Sequence, residues 1–231
     1  MVGSTLDFIA RYKFIYLLVS ILLLLLIHPF LERLVVARIL MHVFFSVVLL
    51  SAIYTVSQKE GMRIIAIILL LPALVGTWSG YVIESATLHL TARGFTVLFL
   101  AFTGSLIVLD VFKEEEVTVD TISGAICVYL LIGLVWAELY SLIEFFQPGS
   151  FTTHKYLPQA PGYHPEHQTP LFLYYSFVTL TTLGYGDITP LTPPARAFSY
   201  VEAIVGQIFV AVLIARLVGL QIVHSTRKNF H

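Results

Sequence analysis

Cysteine is almost absent from this chain: Cys127 is the only one in 231 residues, and it sits in an apolar run. No intrachain disulfide can form, and no metal site can be assembled from Cys ligands. Charge is scarce too. Lys and Arg number 13 and Asp and Glu 14, together 12% of the chain, where a soluble domain carries about 25%. A formal net charge of -1 leaves no basic surplus, so there is no reason to expect a nucleic-acid partner. Catalytic triad, phosphate-binding loop and HExxH are all missing, so enzymatic chemistry has no candidate residues. What the chain has in quantity is apolar: 58% hydrophobic residues and a mean hydropathy of +0.88. Such a composition calls for lipid as solvent rather than a single water-soluble core. An all-α integral membrane protein is expected.

A spanning helix needs roughly 20 mostly apolar residues. Six stretches qualify: Phe14–Phe30, Leu34–Val56, Arg63–Val82, Gly94–Phe112, Gly124–Phe146 and Ala197–Ile222. Arg11 and Lys13 precede the first, and it has no clear small-residue cleavage site; it reads as a retained anchor rather than a signal peptide. A seventh helix opens at Thr169-Pro170, a favoured N-cap followed by a favoured first helical residue. Running over 170–182, it would cover only ~20 Å, too short to cross. A half-helix followed by irregular backbone is tolerated at membrane depth only where protein buries it or water lines it. A re-entrant pore loop is therefore expected.

With both termini cytoplasmic, the inner side holds Arg11, Lys13, Lys59, Arg63, Lys113, Arg216, Arg227 and Lys228. The outer side holds Arg33, Arg38, Arg93, Lys155 and Arg196. Eight against five agrees with the positive-inside tendency. The segment 147–169 then becomes an extracellular turret.

After the half-helix comes Thr182-Leu183-Gly184-Tyr185-Gly186-Asp187. Glycines at 184 and 186 make cheap, at those positions, backbone angles that L-residues avoid. The run resembles the Thr-Val-Gly-Tyr-Gly signature of potassium-channel selectivity filters, in which stacked backbone carbonyls replace the hydration shell of the ion. From Gly124 onward the order of helix, turret, pore helix, filter and helix resembles the pore domain of tetrameric potassium channels. With four helices ahead of it, the chain resembles the six-transmembrane class. The resemblance implies a four-helix domain over 1–113, a linker over 114–123 and a pore domain over 124–231, with filter 182–187 and inner helix 197–222. It also implies a homotetramer in the cell membrane around one pore, with K+ as the ion passed and as the only bound species. The carbonyls of Thr182, Leu183, Gly184 and Tyr185, with the Thr182 hydroxyl, would form the ion sites alongside Gly186. Tyr185 would pack on Tyr174 and Tyr175, and Asp187 would tie the outer mouth to the pore helix. Leu183 replaces the usual valine, with only its carbonyl facing the ion. Val178 stands where some bacterial members have a glutamate partnering the filter aspartate, so inactivation that depends on that pair is expected to be absent or altered.

Gly206 lies midway along the last helix. A glycine there costs ~1 kcal/mol, and by resemblance it is a gating hinge, or else a place of close packing on the pore helix. Gln207, Val210, Ile214, Val218 and Ile222 share one helical face. By resemblance this face lines the cavity and inner gate; the alternative is a lipid-facing stripe. The fourth segment, 94–112, contains no basic residue, with Arg93 and Lys113 flanking it. An uncharged helix extracts no work from the membrane potential, so steep voltage dependence is not expected, and the front helices are a scaffold or a sensor of something else. Only nine residues follow Ile222, too few for an attached ligand-binding module.

Ionisable side chains in a bilayer are costly. Glu138 and Glu202, expected near the back of the filter, brace the pore helix by hydrogen bonds or titrate to modulate gating, or else are quietly paired. Arg216 is placed to snorkel or to meet the acidic run Glu114-Glu115-Glu116, itself otherwise a solvated loop. Turret residues His154, His164 and His167 are candidates for external proton or metal modulation, against solvated loop histidines. The expected activity is passive, voltage-insensitive K+ conduction. The alternatives are a non-selective cation channel or a non-conducting membrane sensor or assembly protein on the same fold.

Overall fold

The computed structural model describes residues 13–31, 37–56, 60–79, 86–114, 117–152 and 169–229. Seven helices run through them: α1 Lys13–Leu31, α2 Ala37–Val56, α3 Glu60–Ser79, α4 Ala86–Lys113, α5 Val119–Phe146, α6 Thr169–Leu180 and α7 Pro193–Asn229. Four carry long apolar spans, Gly61–Trp78, Thr87–Lys113, Val119–Phe146 and Pro193–Leu220, and Phe14–Leu26 and Pro170–Leu180 are shorter apolar stretches. The molecule is thus an all-helical, multi-pass membrane protein.

Several boundaries differ from the sequence expectation: α3 begins at Glu60 rather than Arg63, α5 at Val119 rather than Gly124, inside the expected linker, and α7 spans Pro193–Asn229 rather than Ala197–Ile222. Helix α4 begins at Ala86 rather than Gly94, so Arg93 lies inside the helix instead of flanking it. Its first two turns are polar (Thr87, His89, Thr91, Arg93), and hydropathy therefore missed them. Helix α6 ends at Leu180 rather than Thr182, because the chain leaves α-geometry there. The turret histidines His154, His164 and His167, with Glu115 and Glu116, lie outside the described residues.

The chain divides into two compact units, Met1–Leu131 with Ile214–His231, and Ile132–Leu213. In the first, α1 buries Phe14, Leu17, Ile21 and Leu24 while Leu22, Leu23 and Leu26 stay exposed. The buried set recurs at helical spacing on one face, yet its opposite face is equally apolar, as expected where lipid replaces water. Small residues set the closest approach: a Cβ on Gly76 of α3 would lie 1.8 Å from the Cβ of Ala92 on α4, the close backbone contact that membrane helices obtain from glycine and alanine. Polar links supplement it. Trp78 Nε1 donates to Ser46 Oγ at 3.1 Å, the Phe14 N–H donates to Asp120 Oδ1 at 3.2 Å, and buried Cys127 donates to the Phe14 carbonyl at 3.3 Å.

Arg216 belongs to this unit. Its Nη2 donates to the carbonyls of Val111 (3.2 Å) and Glu114 (2.9 Å), and its guanidinium lies 4.7 Å from the Phe112 ring centroid. Of the acidic run, expected as a partner if Arg216 did not snorkel, Glu114 is met, but through its backbone carbonyl just past the end of α4. The last carbonyls of a helix lack intrahelical donors and carry the negative dipole end, so a cation gains there without any carboxylate.

Candidate functional site: the pore helix and its loop

The second unit is organised around α6. Tyr140 of α5, Phe151, and Phe172 and Tyr175 of α6 form a buried aromatic cluster with Ile188 and Ala195. Edge-to-face contacts hold it, with centroids 4.9 Å apart for Tyr140–Tyr175, 5.0 Å for Phe151–Phe172 and 5.3 Å for Phe151–Tyr175, a geometry that adds to area burial. Phe177 packs against Gly133 of α5, where a Cβ would come within 2.7 Å of its ring. On the other side a Cβ on Gly206 of α7 would lie 2.3 Å from the Leu180 carbonyl oxygen. The missing side chain at Gly206 lets α7 reach the very end of α6.

The end of α6 passes directly into the filter run. Thr182 N–H bonds the Thr179 carbonyl at 2.9 Å and Leu183 N–H the Val178 carbonyl at 3.0 Å. These are the two bonds of a Schellman cap, whose pivot residue takes the left-handed conformation and is usually glycine. Here the pivot is Thr182, at φ 59°. Gly184 follows at φ 57° and Gly186 at φ 75°. Positive φ therefore recurs at every second residue, and alternation of backbone handedness is what turns successive carbonyls toward the same side. The sequence pointed to the two glycines; it gave no signal for Thr182, because its left-handed angle is imposed by the cap.

Side chains frame this loop. Tyr174 donates its hydroxyl to Asp187 Oδ2 at 2.7 Å, and Asp187 Oδ1 accepts the Ile188 N–H at 3.0 Å. The Thr182 hydroxyl donates to the Thr181 carbonyl at 2.7 Å and accepts from Gln207 Nε2 at 3.2 Å. Leu183 and Tyr185 are exposed in the single chain, Tyr185 at 66%, while Tyr175 belongs to the buried cluster and Val178 is buried beneath the cap. Val210, Ile214 and Val218 are exposed along α7; the side chain of Ile222 lies outside the described residues. Glu138 is buried on α5.

One side chain near this loop, Glu144, escaped sequence reading. The Glu144 carboxylate accepts the N–H groups of Gly149 (2.8 Å) and Phe151 (3.2 Å), folding the chain back at the end of α5. Residues 150–152 then pair with the stretch after the filter, through Thr152 N–H to the Thr189 carbonyl (3.0 Å) and Leu191 N–H to the Ser150 carbonyl (2.7 Å). A glutamate five residues before a glycine is the available signal, and it is too common to act on. Behind α6, Glu202 of α7 is fully buried and meets Tyr140 and Ser176.

Residues 125–220 match the family model described as "Ion channel". Over 72 residues the chain is 42% identical to the two pore potassium channel c of Oryza sativa subsp. japonica, covering 31% of this chain and 14% of that protein. Over 89 residues it is 30% identical to potassium channel K1 of Plasmodium berghei, covering 38% of this chain and 4% of that protein. The matches thus take in about a seventh of the first relative's length and less of the second's. No solved structure matches. The matched segment, Ala125 to Leu220, carries the aromatic cluster, the capped half-helix and the loop that follows it.

Proposed function

We propose that the protein is a potassium-selective channel, a homotetramer in the cell membrane with one loop of 182–187 from each chain lining a central pore. The observation that carries this reading is the alternating positive φ at Thr182, Gly184 and Gly186, at the end of a half-helix in a segment similar to potassium channels. Four such strands offer rings of carbonyl oxygens that exchange for the water of a K+ ion at small cost. The C-terminal dipole end of α6 favours a cation in the cavity below. Tyr185, exposed in one chain, is assigned to packing against Tyr174 on the pore helix of a neighbour, and Asp187 holds the mouth through Tyr174.

In this reading α1–α5 and α7 cross the bilayer and α6 re-enters from outside, with cytoplasmic termini and an extracellular 147–169. Residues 1–113 form the front domain, 114–123 the linker and 124–231 the pore domain. The face of Gln207, Val210, Ile214, Val218 and Ile222 lines the cavity, and Gly206 serves close packing against Leu180 or a hinge motion. Arg93 and Lys113 are the only Lys or Arg residues in α4, so conduction lacks steep voltage dependence.

The test is the reversal potential of purified protein in planar bilayers with opposed K+ and Na+. Reversal near the K+ equilibrium potential is expected, and reversal near zero makes the pore non-selective. Gly184→Ala is the matched control. No atom lies within 4 Å of a Cβ at this position, so in the single chain the substitution costs only the left-handed conformation, about 1–2 kcal/mol. Selectivity is expected to be lost while the protein still folds.

A further inference from the structure

Glu202 sits where three helices of the second unit converge, and the hydrogen inventory around it does not balance for a carboxylate. Its Oε2 accepts from the Tyr140 hydroxyl of α5. Its Oε1 lies 2.5 Å from Ser176 Oγ of α6. The same Ser176 oxygen lies 2.8 Å from the Gly133 carbonyl of α5. Three oxygen–oxygen contacts at hydrogen-bonding distance need three protons. Tyr140 brings one and Ser176 brings one, and a carbonyl brings none. With Glu202 ionised, Ser176 must give its single proton to one neighbour and face the other lone pair to lone pair. With a proton on Glu202 Oε1, all three contacts close: Glu202 donates to Ser176, Ser176 to Gly133, and Tyr140 to Glu202.

The charges around the site agree. Tyr140 from α5 and Tyr175 from α6 are the titratable groups facing Glu202, and Tyr175 is already engaged with Ser199 at 2.7 Å, which passes its own proton to the Ala195 carbonyl at 2.8 Å. Among the described residues no Lys, Arg or His pairs with Glu202. A fully buried carboxylate with no counter-charge is costly, and neutralising it removes that cost.

We propose that Glu202 works as a neutral carboxylic acid that positions the filter: a cross-link joining the outer helix, the pore helix and the inner helix through the proton on its Oε1. Its bearing on conduction rests on the channel reading above; its protonation does not. Gln reproduces the pattern, since its amide N–H donates to Ser176 and its carbonyl accepts from Tyr140. It could not reproduce a carboxylate, which would accept from both.

The experiment compares wild type, Glu202→Gln and Glu202→Ala as full-length purified protein. It reads infrared difference spectra, thermal unfolding in detergent and K+ flux in liposomes. Wild type is expected to show a carboxylic-acid C=O band that disappears in E202Q. E202Q should keep wild-type unfolding temperature and flux, and E202A should lose both. The absence of any acid band assignable to Glu202, or an E202Q protein as damaged as E202A, overturns the proposal. If wild-type liposomes pass no K+, the channel reading fails, while the band and the unfolding temperature still decide the state of Glu202.

Discussion

Thr182 carries a backbone angle, φ 59°, that costs a residue with a Cβ about 1–2 kcal/mol relative to glycine. A helix cap alone would be better served by glycine, as most are. What Thr adds is a hydroxyl at the mouth of the loop, fixed by donating to the Thr181 carbonyl and accepting from Gln207. Strain of this kind survives where the surroundings over-determine it, and it gathers at functional positions. Thr182→Gly is therefore expected to leave thermal stability unchanged or raise it by up to about 1 kcal/mol, while K+ selectivity falls. Unfolding temperature and reversal potential, measured on the same preparation, check the two halves. A variant that is both less stable and fully selective would show that the hydroxyl serves the fold rather than the ion. Thr182 also marks where reading residues stops short. Gly184 and Gly186 declare their angles by lacking a Cβ, whereas a threonine declares nothing, and its conformation follows from two backbone bonds to Thr179 and Val178.

Helices α3 and α4 meet across Gly76 and Ala92, with room for one methyl group and not two. Gly76→Ala places two Cβ atoms 1.8 Å apart, so the helices must separate, and overpacking of this kind costs about 1–3 kcal/mol. The double substitution Gly76→Ala with Ala92→Gly moves the methyl to the other helix and should recover most of that loss. Unfolding temperatures of the two single variants and the double variant give the coupling directly; an additive double variant would show that the contact does not set the packing. The existence of these helices was plain from apolar length. Their buried faces were not, since Ile64, Ile65, Ile68 and Leu71 of α3 are exposed while Ala66, Leu70 and Ala73 are buried. When the solvent is lipid, hydrophobicity cannot separate core from surface, and small residues at the contact say more than large ones. The start of α4 was hidden for the opposite reason: Thr87, His89, Thr91 and Arg93 are helical but not apolar. The half-helix α6 was legible from its Thr-Pro start, whereas the Glu144 turn rests on a Glu–Gly spacing too common to act on, and the pairing of 150–152 with 189–191 joins residues far apart in sequence and leaves no local pattern.

A single chain leaves its functional loop uncovered. Residues 181–186 are all exposed, and only 6% of the apolar window of α7 is buried. Apolar surface can face lipid, but converging carbonyls cannot, because backbone groups at membrane depth need a partner or an aqueous lining. In the proposed tetramer four chains around an axis supply both, and the ion becomes part of the assembly. Bringing four loops together concentrates partial negative charge, and K+ bound between them offsets that repulsion. A ligand held by the assembled state alone stabilises it by mass action, adding about 1.4 kcal/mol for each tenfold rise in free K+ above its dissociation constant at a single site. The purified protein is therefore expected to run at the mass of four chains in native mass spectrometry. Its thermal unfolding should shift upward as K+ replaces Na+ at constant ionic strength. Gly184→Ala, which disturbs the loop without filling space in the chain, should flatten that K+ dependence while leaving the four-chain mass intact. Equal unfolding temperatures in K+ and Na+ would mean that the loops do not hold the ion in preference to Na+, and a one-chain mass would mean that they never meet.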